Sequence, residues 1–170
     1  MIYLVGVNHG VQFENKTSDM HVINAFEDYL REACAEYTID CIAEEMSIES
    51  LKQWEATRYV CKSIADELSI RHIFCDPDSN ERKKKGIKLE KEVREELGYG
   101  QILSDSQVKQ LDEALKIQWP LREQYWLEKM LEAKVDRTLF VLGSSHIESF
   151  SEVLTQKGMG GVILKEKWVA

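Results

Sequence analysis

Apolar positions along the chain fall into five short runs, each closed by polar or glycine residues, and most stretches between them carry apolar residues at helical spacing. Residues 2–7, Ile-Tyr-Leu-Val-Gly-Val, are rich in β-formers and end at Asn8-His9-Gly10, the pattern of a buried strand. A polar loop follows to about Asp19. From there to Tyr37, Val22, Ile23, Phe26, Leu30 and Ala33 recur at the intervals of one helix face, with Ser18 or Asp19 available as N-cap. A second run, 39–43, stops at Glu44-Glu45, after which Ser47 can cap a helix continuing to about Leu68. The third run, 71–75, stops at Asp76-Pro77-Asp78, and the fourth, 138–142, at Gly143. A helix over about 147–156, closed by Gly158, leads to the fifth run at 161–164. Between the third and fourth runs the spacing predicts helices over about 87–97, 105–117 and 120–134; Pro120 suits a first turn, where its missing amide proton does no harm.

Short buried strands alternating with helices predict an α/β fold. Its central sheet is mainly parallel or mixed, of four to five strands with helices on both faces and a helical cap inserted over about 80–134. At 170 residues, with no internal repeat or low-complexity linker, the chain suits one domain spanning 1–170. In an open parallel sheet the ligand-binding loops meet outside the carboxyl ends of the strands. Four strand exits carry ionisable side chains: His9, Glu44-Glu45, Asp76 and, just beyond Gly143, His146. His21 and His72 fall inside a helix and a strand and read as structural.

Hydrophobic residues make up 44% and charged residues 31% of the chain, which is globular rather than disordered composition. A formal charge of −8 argues against a nucleic-acid partner, whose binding rests on clustered cations. The one basic run, Arg82 to Lys85, precedes an acidic helical stretch and reads as a solvated helix entrance or an anion-contacting loop. Cys34, Cys41, Cys61 and Cys75 form no Cys-x-x-Cys pair and are expected to be reduced core residues, in keeping with a cytoplasmic location. The apolar amino terminus lacks a charged leader and is too short to span a bilayer, so no membrane association is expected.

Two imidazoles and a carboxylate are a donor set for zinc, manganese and related ions. The same groups suit general-base hydrolysis without metal. Gly143-Ser144-Ser145-His146 lacks the second glycine of a Gly-x-Ser-x-Gly elbow, which makes water the expected nucleophile. Side chains alternate across a strand, so only one of Glu44 and Glu45 is expected to reach the site. Arg122 is either a helix ion pair or a group that holds a substrate carbonyl or carboxylate. Trp119, Tyr125 and Trp126 read as core or cap packing.

Gly6-Val7-Asn8-His9 near the start and Gly143-Ser144-Ser145-His146 near the end are both Gly-x-x-His following an apolar strand. An acidic residue follows the second strand, Asp76 and Arg82 follow the third, and Arg122 lies in Arg-Glu-Gln-Tyr-Trp before the fourth. Along nearly the whole chain this order resembles the superfamily of TraB/PrgY pheromone-shutdown proteins, Tiki metalloproteases, and the erythromycin esterase and ChaN-like proteins. Glu44-Glu45-Met46 stands where that family has a Glu-Leu-Asp-like segment, and Met46 at the apolar place after the acid favours Glu45, with Glu44 in reserve. The resemblance implies a hydrolase of amide or ester bonds acting on a small-molecule or peptide substrate. It places a divalent ion (manganese, cobalt or zinc) on His9, Glu45 and His146, with Asp76 and Arg122 in support. A metal-free esterase with His9 or His146 as base, and a non-catalytic ligand- or peptide-binding module, are the alternatives.

Overall fold

Strand alternation sorts the apolar side chains into two cores, one on each face of a single sheet. The computed structural model describes every residue from Met1 to Ala170. Along the chain, β1 (Ile2–Val7) passes through a one-turn 3-10 helix (His9–Val11) and β2 (Phe13–Glu14) to α1 (Met20–Glu36). Next, β3 (Cys41–Glu44) leads to α2 (Ile48–Gln53), β4 (Arg58–Tyr59) and α3 (Val60–Glu67). Then β5 (Arg71–Phe74) is followed by the inserted helices α4 (Ser79–Lys85), α5 (Glu90–Glu96), α6 (Asp105–Lys116) and α7 (Trp119–Glu132). Finally β6 (Thr138–Gly143), a second 3-10 turn (Ser144–His146), α8 (Ile147–Gln156) and β7 (Gly161–Lys165) complete the fold.

The five-stranded sheet has the order β5-β3-β6-β1-β7 and is parallel throughout. Leu4 pairs with Phe140 and Ile42 with Leu139. On one face Val5, Val7, Ile42, Leu139 and Val141 pack against α1 and α3, with Trp168 closing the layer. On the other, Leu4, Ala43, Phe140 and Leu142 pack against α7 and α8 through Trp126, Met130, Phe150 and Leu154. Full burial of each large apolar side chain contributes roughly 1.5–3 kcal/mol, so both layers are needed to offset the entropy of ordering the chain.

Capping follows the sequence. Asp19 accepts from His21 N at the start of α1, Ser47 accepts from Ser50 N at the start of α2, and Gly158 takes the left-handed conformation after α8. All four cysteines are free and buried. No helix is long and apolar enough to cross a membrane.

The expected continuous helix from Ser47 to Leu68 is corrected by the structure. It breaks at Trp54, Glu55 adopts a left-handed φ of 52°, and the chain re-enters a helix only at Val60. The intervening Thr57, Arg58 and Tyr59 are better suited to strand than to helix. They pair with the polar loop that follows β1: Phe13 with Tyr59 and Glu14 with Arg58, antiparallel. Arg58 also bridges Glu14 and Glu27, which pins this small ladder to α1. The basic run proves to be the last turn of α4, where Arg82 turns inward to Asp76 and Lys85 pairs with Glu128.

Candidate active site

Because the sheet is parallel, all its strands end at one edge, and because β6 lies between β1 and β3, the exits of three adjacent strands meet there. They deliver His9, His146 and a glutamate. Alternation settles which one. Glu44 shares the α1/α3 face with Ile42, whereas Glu45 follows Ala43 toward α7 and α8. Glu45 Oε1 stands 3.7 Å from His9 Nε2 and 3.9 Å from His146 Nε2, while its Oε2 accepts a 2.7 Å hydrogen bond from Gly143 N.

Both imidazoles are held from behind. His146 Nδ1 lies 2.8 Å from Glu123 Oε1, to which Ser149 Oγ also donates at 2.5 Å. Trp119 and Trp126 flank the His146 ring, with centroids 4.3 and 5.0 Å away. His9 Nδ1 lies 2.7 Å from Gln12 Oε1; Gln12 Nε2 donates to Glu44 Oε2 at 2.9 Å, and Glu44 Oε1 lies 2.7 Å from His72 Nε2. Gln12 must turn its amide nitrogen toward the Glu44 carboxylate, so its oxygen faces His9. An ionised carboxylate and a carboxamide oxygen only accept, so Nδ1 carries the proton on both rings. A neutral ring then presents Nε2 as an acceptor. Three acceptor atoms consequently face one another, and Glu45 Oε1 among them is buried without a hydrogen bond.

Asp76 and Arg122 build the adjoining wall. Arg122 Nε donates to Asp76 Oδ1 at 2.7 Å and Nη1 stands 3.0 Å from Glu45 Oε1; its Nη2 donates no hydrogen bond within the protein. Arg82 Nη2 reaches Asp76 Oδ2 at 2.5 Å, and Trp126 Nε1 donates to Oδ1 at 3.2 Å. Burial by itself would raise the Asp76 carboxyl, but Arg122, with help from Arg82 and Trp126, outweighs it and holds the group below its ordinary value. Burial likewise opposes the Arg122 charge, and Glu45 and Asp76 overcome it, raising that guanidinium above its usual range. Arg122 is therefore an inner bridge between two carboxylates. Four buried carboxylates, of Glu44, Glu45, Asp76 and Glu123, face only two guanidiniums, of Arg82 and Arg122. The surplus negative charge suits a bound cation.

A cleft of about 420 Å³ lies over these groups, walled by Trp54 and Met46 on one side and by Ile87, Leu115 and Trp119 of the helical insert on the other. His9 lines it with a side chain 35% exposed, whereas His146, 6% exposed, does not line it. The donor types fit a divalent ion: two imidazole nitrogens, each with its other nitrogen held by a buried acceptor, and one carboxylate oxygen. Their spacing exceeds the roughly 3.0–3.4 Å expected between ligands about 2.1 Å from one ion. As the side chains stand, no group of three or more His, Cys, Asp or Glu is close enough to hold one.

Each residue expected at the site, His9, Glu45, Asp76, Arg122 and His146, lies on this one edge, and Glu44 lies just behind it. Gln12, Glu123 and Ser149 carry no signal at a strand exit and escape the sequence reading, as does the contact of His72 with Glu44. One signal was present for Glu123. Trp119, Arg122, Glu123 and Trp126 follow the i, i+3, i+4, i+7 spacing of one helix face, so two charges lie on an aromatic stripe. Comparison with known proteins finds no matching family model, no matching curated protein and no matching solved structure.

Proposed function

We propose that the protein is a hydrolase of amide or ester bonds that activates water between His9, Glu45 and His146. The observation that carries this reading is the convergence of two imidazole Nε2 atoms on one buried carboxylate oxygen, which also pairs with the Arg122 guanidinium, beside a cleft lined by His9 and Glu45. His9, the exposed member, takes a proton from water at Nε2 as the water oxygen adds to the substrate carbonyl carbon. It returns that proton to the nitrogen or oxygen that leaves as the bond to carbon breaks. Gln12 and Glu44 hold its ring in the required tautomer. Arg122, with Nη2 unused by the protein, stabilises charge on the carbonyl oxygen. His146, fixed by Glu123 and two tryptophans, offers its Nε2 as a second acceptor that orients the water.

His9, Glu45 and His146 are also the residues that would hold a manganese, cobalt or zinc ion, which when bound supplies acidification of water and polarisation of the carbonyl. His9 Nε2 cannot hold an ion and take a proton at once, so the ion is the alternative to the metal-free general-base step described above. The metal-free step is favoured by Arg122, whose guanidinium already places a positive charge 3.0 Å from Glu45 Oε1. Four free, buried thiols support a cytoplasmic setting.

The test is hydrolysis of 4-nitrophenyl acetate and of a peptide 4-nitroanilide by chelator-treated protein, with and without each ion. Activity that falls at least about a hundredfold in His9→Ala and His146→Ala, with thermal unfolding retained, is the expected result. Equal activity in the wild-type and both folded variants would overturn the reading.

A further inference from the structure

Past His9 the cleft continues into a second recess, of about 600 Å³, bounded by Phe13, Asn15, Lys16 and Glu55. His9, Gln53 and Trp54 line both, so the two form one groove crossing the proposed reacting centre. The wall of this second arm is aromatic. Phe13 and Trp54 stack with centroids 5.2 Å and planes 25° apart; Phe13 is buried, while Trp54 keeps 42% of its surface exposed.

Backbone hydrogen bonds fix the point from which that indole projects, and Phe13 stacks against it. Trp54 N donates to Ser50 O at the end of α2, Ala56 N donates back to Leu51 O, and the left-handed Glu55 turns the chain away. Asn15 Nδ2 donates to Trp54 O at 3.3 Å, and the pairing of Phe13 with Tyr59 anchors the other ring. At the rim Lys16 and Glu55 stand 3.9 Å apart, both well exposed, so the recess carries no net charge of its own. A rigid, neutral site with an open π surface next to a hydrolytic centre selects flat uncharged groups over charged ones.

We infer that this recess is a subsite for an uncharged aromatic ring of the substrate, seated on Trp54 with the scissile bond over His9. The ring site stands on its own geometry; its service to a scissile bond rests on the hydrolase reading above. The probe that separates the two is 2-naphthol, which is flat, neutral near pH 7 and has no bond to hydrolyse.

Titration is followed in every chain by the backbone amide resonances of Lys16, Gln53 and Glu55, which line the recess, and, where Trp54 is kept, by its indole N–H resonance, assigned from its loss in Trp54→Phe. The expected result is a saturable shift of these resonances. Affinity falls about tenfold or more in Trp54→Ala, stays within about threefold in Trp54→Phe, is unchanged in Glu45→Gln, and is about tenfold weaker for cyclohexanol. Should Trp54→Ala fail to fold, the Trp54→Phe and cyclohexanol comparisons still decide. No saturable shift at Trp54, or equal affinity for cyclohexanol, overturns the subsite. Naphthol binding without any hydrolysis would overturn the hydrolase reading and leave the subsite standing; hydrolysis without naphthol binding would do the reverse.

Discussion

Gly143 ends β6 directly against the His9 imidazole: a β-carbon on it would stand 2.9 Å from His9 Nε2 and 3.3 Å from Glu45 Oε2. The glycine of the second Gly-x-x-His motif is thus an opening through which His9 and Glu45 meet over the end of the central strand. The glycine of the first motif serves differently. A β-carbon on Gly6 would fall 2.0 Å from Glu166 O and 2.8 Å from Ile147 Cγ1, where the tail crosses and Trp168 N donates to Gly6 O. Gly143 has φ −58° and ψ 134°, open to any residue, so Gly143→Ala crowds the partly exposed His9 ring and, less closely, the Glu45 carboxylate. We expect Gly143→Ala to lower hydrolysis about tenfold or more while costing less than about 1 kcal/mol of stability. Gly6→Ala should show the opposite profile, a loss of about 1–3 kcal/mol from displaced backbone. Urea unfolding and kcat/KM of both variants check this.

Glu44 and Glu45 are neighbours with unlike duties. Glu44 satisfies Gln12 on one oxygen and meets His72 on the other, all in the interior. Glu44→Ala should therefore destabilise by about 2–3 kcal/mol, since it strands buried polar partners. Glu45→Gln keeps the shape and the acceptor for Gly143 N but removes the charge facing the two imidazoles. It is expected to destabilise by about 1–3 kcal/mol, because Arg122 keeps only Asp76 as a charged partner, and to lower hydrolysis at least about a hundredfold. Equal activity losses with equal destabilisation in the two variants would contradict this division.

Asp76 makes the stability depend on acid. Its carboxyl is held below the ordinary value in the folded chain, chiefly by Arg122, so the unfolded chain binds the proton more tightly. The stabilisation is complete above the usual carboxylate range and is lost as pH falls through the lower, folded value. In Asp76→Asn that loss is already present at neutral pH: Arg82 and Arg122 remain with no charge between them, at a cost of about 3–5 kcal/mol. Urea midpoints from pH 7 to pH 3 should fall less steeply for Asp76→Asn than for the wild-type chain below about pH 4.

Much of this edge was legible because local rules suffice for it. Apolar runs ending in polar residues gave the five strands, and the parallel-sheet rule placed His9, Glu45, Asp76 and His146 at their exits. Strand order was not legible: nothing in residues 138–143 says that this run inserts between β1 and β3, yet that insertion brings His146 to Glu45. The break after Trp54 was hidden for a related reason, since Thr57 to Tyr59 leave the helix to pair with residues some 45 positions earlier. Gln12 and Glu123 look like ordinary loop and helix polar residues until the tertiary fold sets each behind a histidine.

The metal question turns on Arg122. Its Nη1 lies 3.0 Å from Glu45 Oε1, the oxygen a divalent ion would share with His9 and His146 Nε2. A single positive charge and a divalent ion about 5 Å apart at an effective dielectric of about 20 repel by roughly 7 kcal/mol, so the guanidinium opposes a cation at that oxygen. Arg122→Gln removes the opposition while Arg82 remains on Asp76. If the site takes metal, this variant should bind manganese, cobalt or zinc about tenfold or more tightly than the wild-type chain. His9→Ala, His146→Ala and Glu45→Gln should each weaken binding by at least that factor. Affinity should also decline toward acid pH, as protons compete for the imidazole nitrogens. Calorimetric titration of chelator-treated protein, with circular dichroism to confirm that each variant is folded, measures all of these. An ion that binds neither the wild-type chain nor Arg122→Gln removes the metal reading, and hydrolysis that persists in its absence assigns the proton transfer to His9 Nε2 alone.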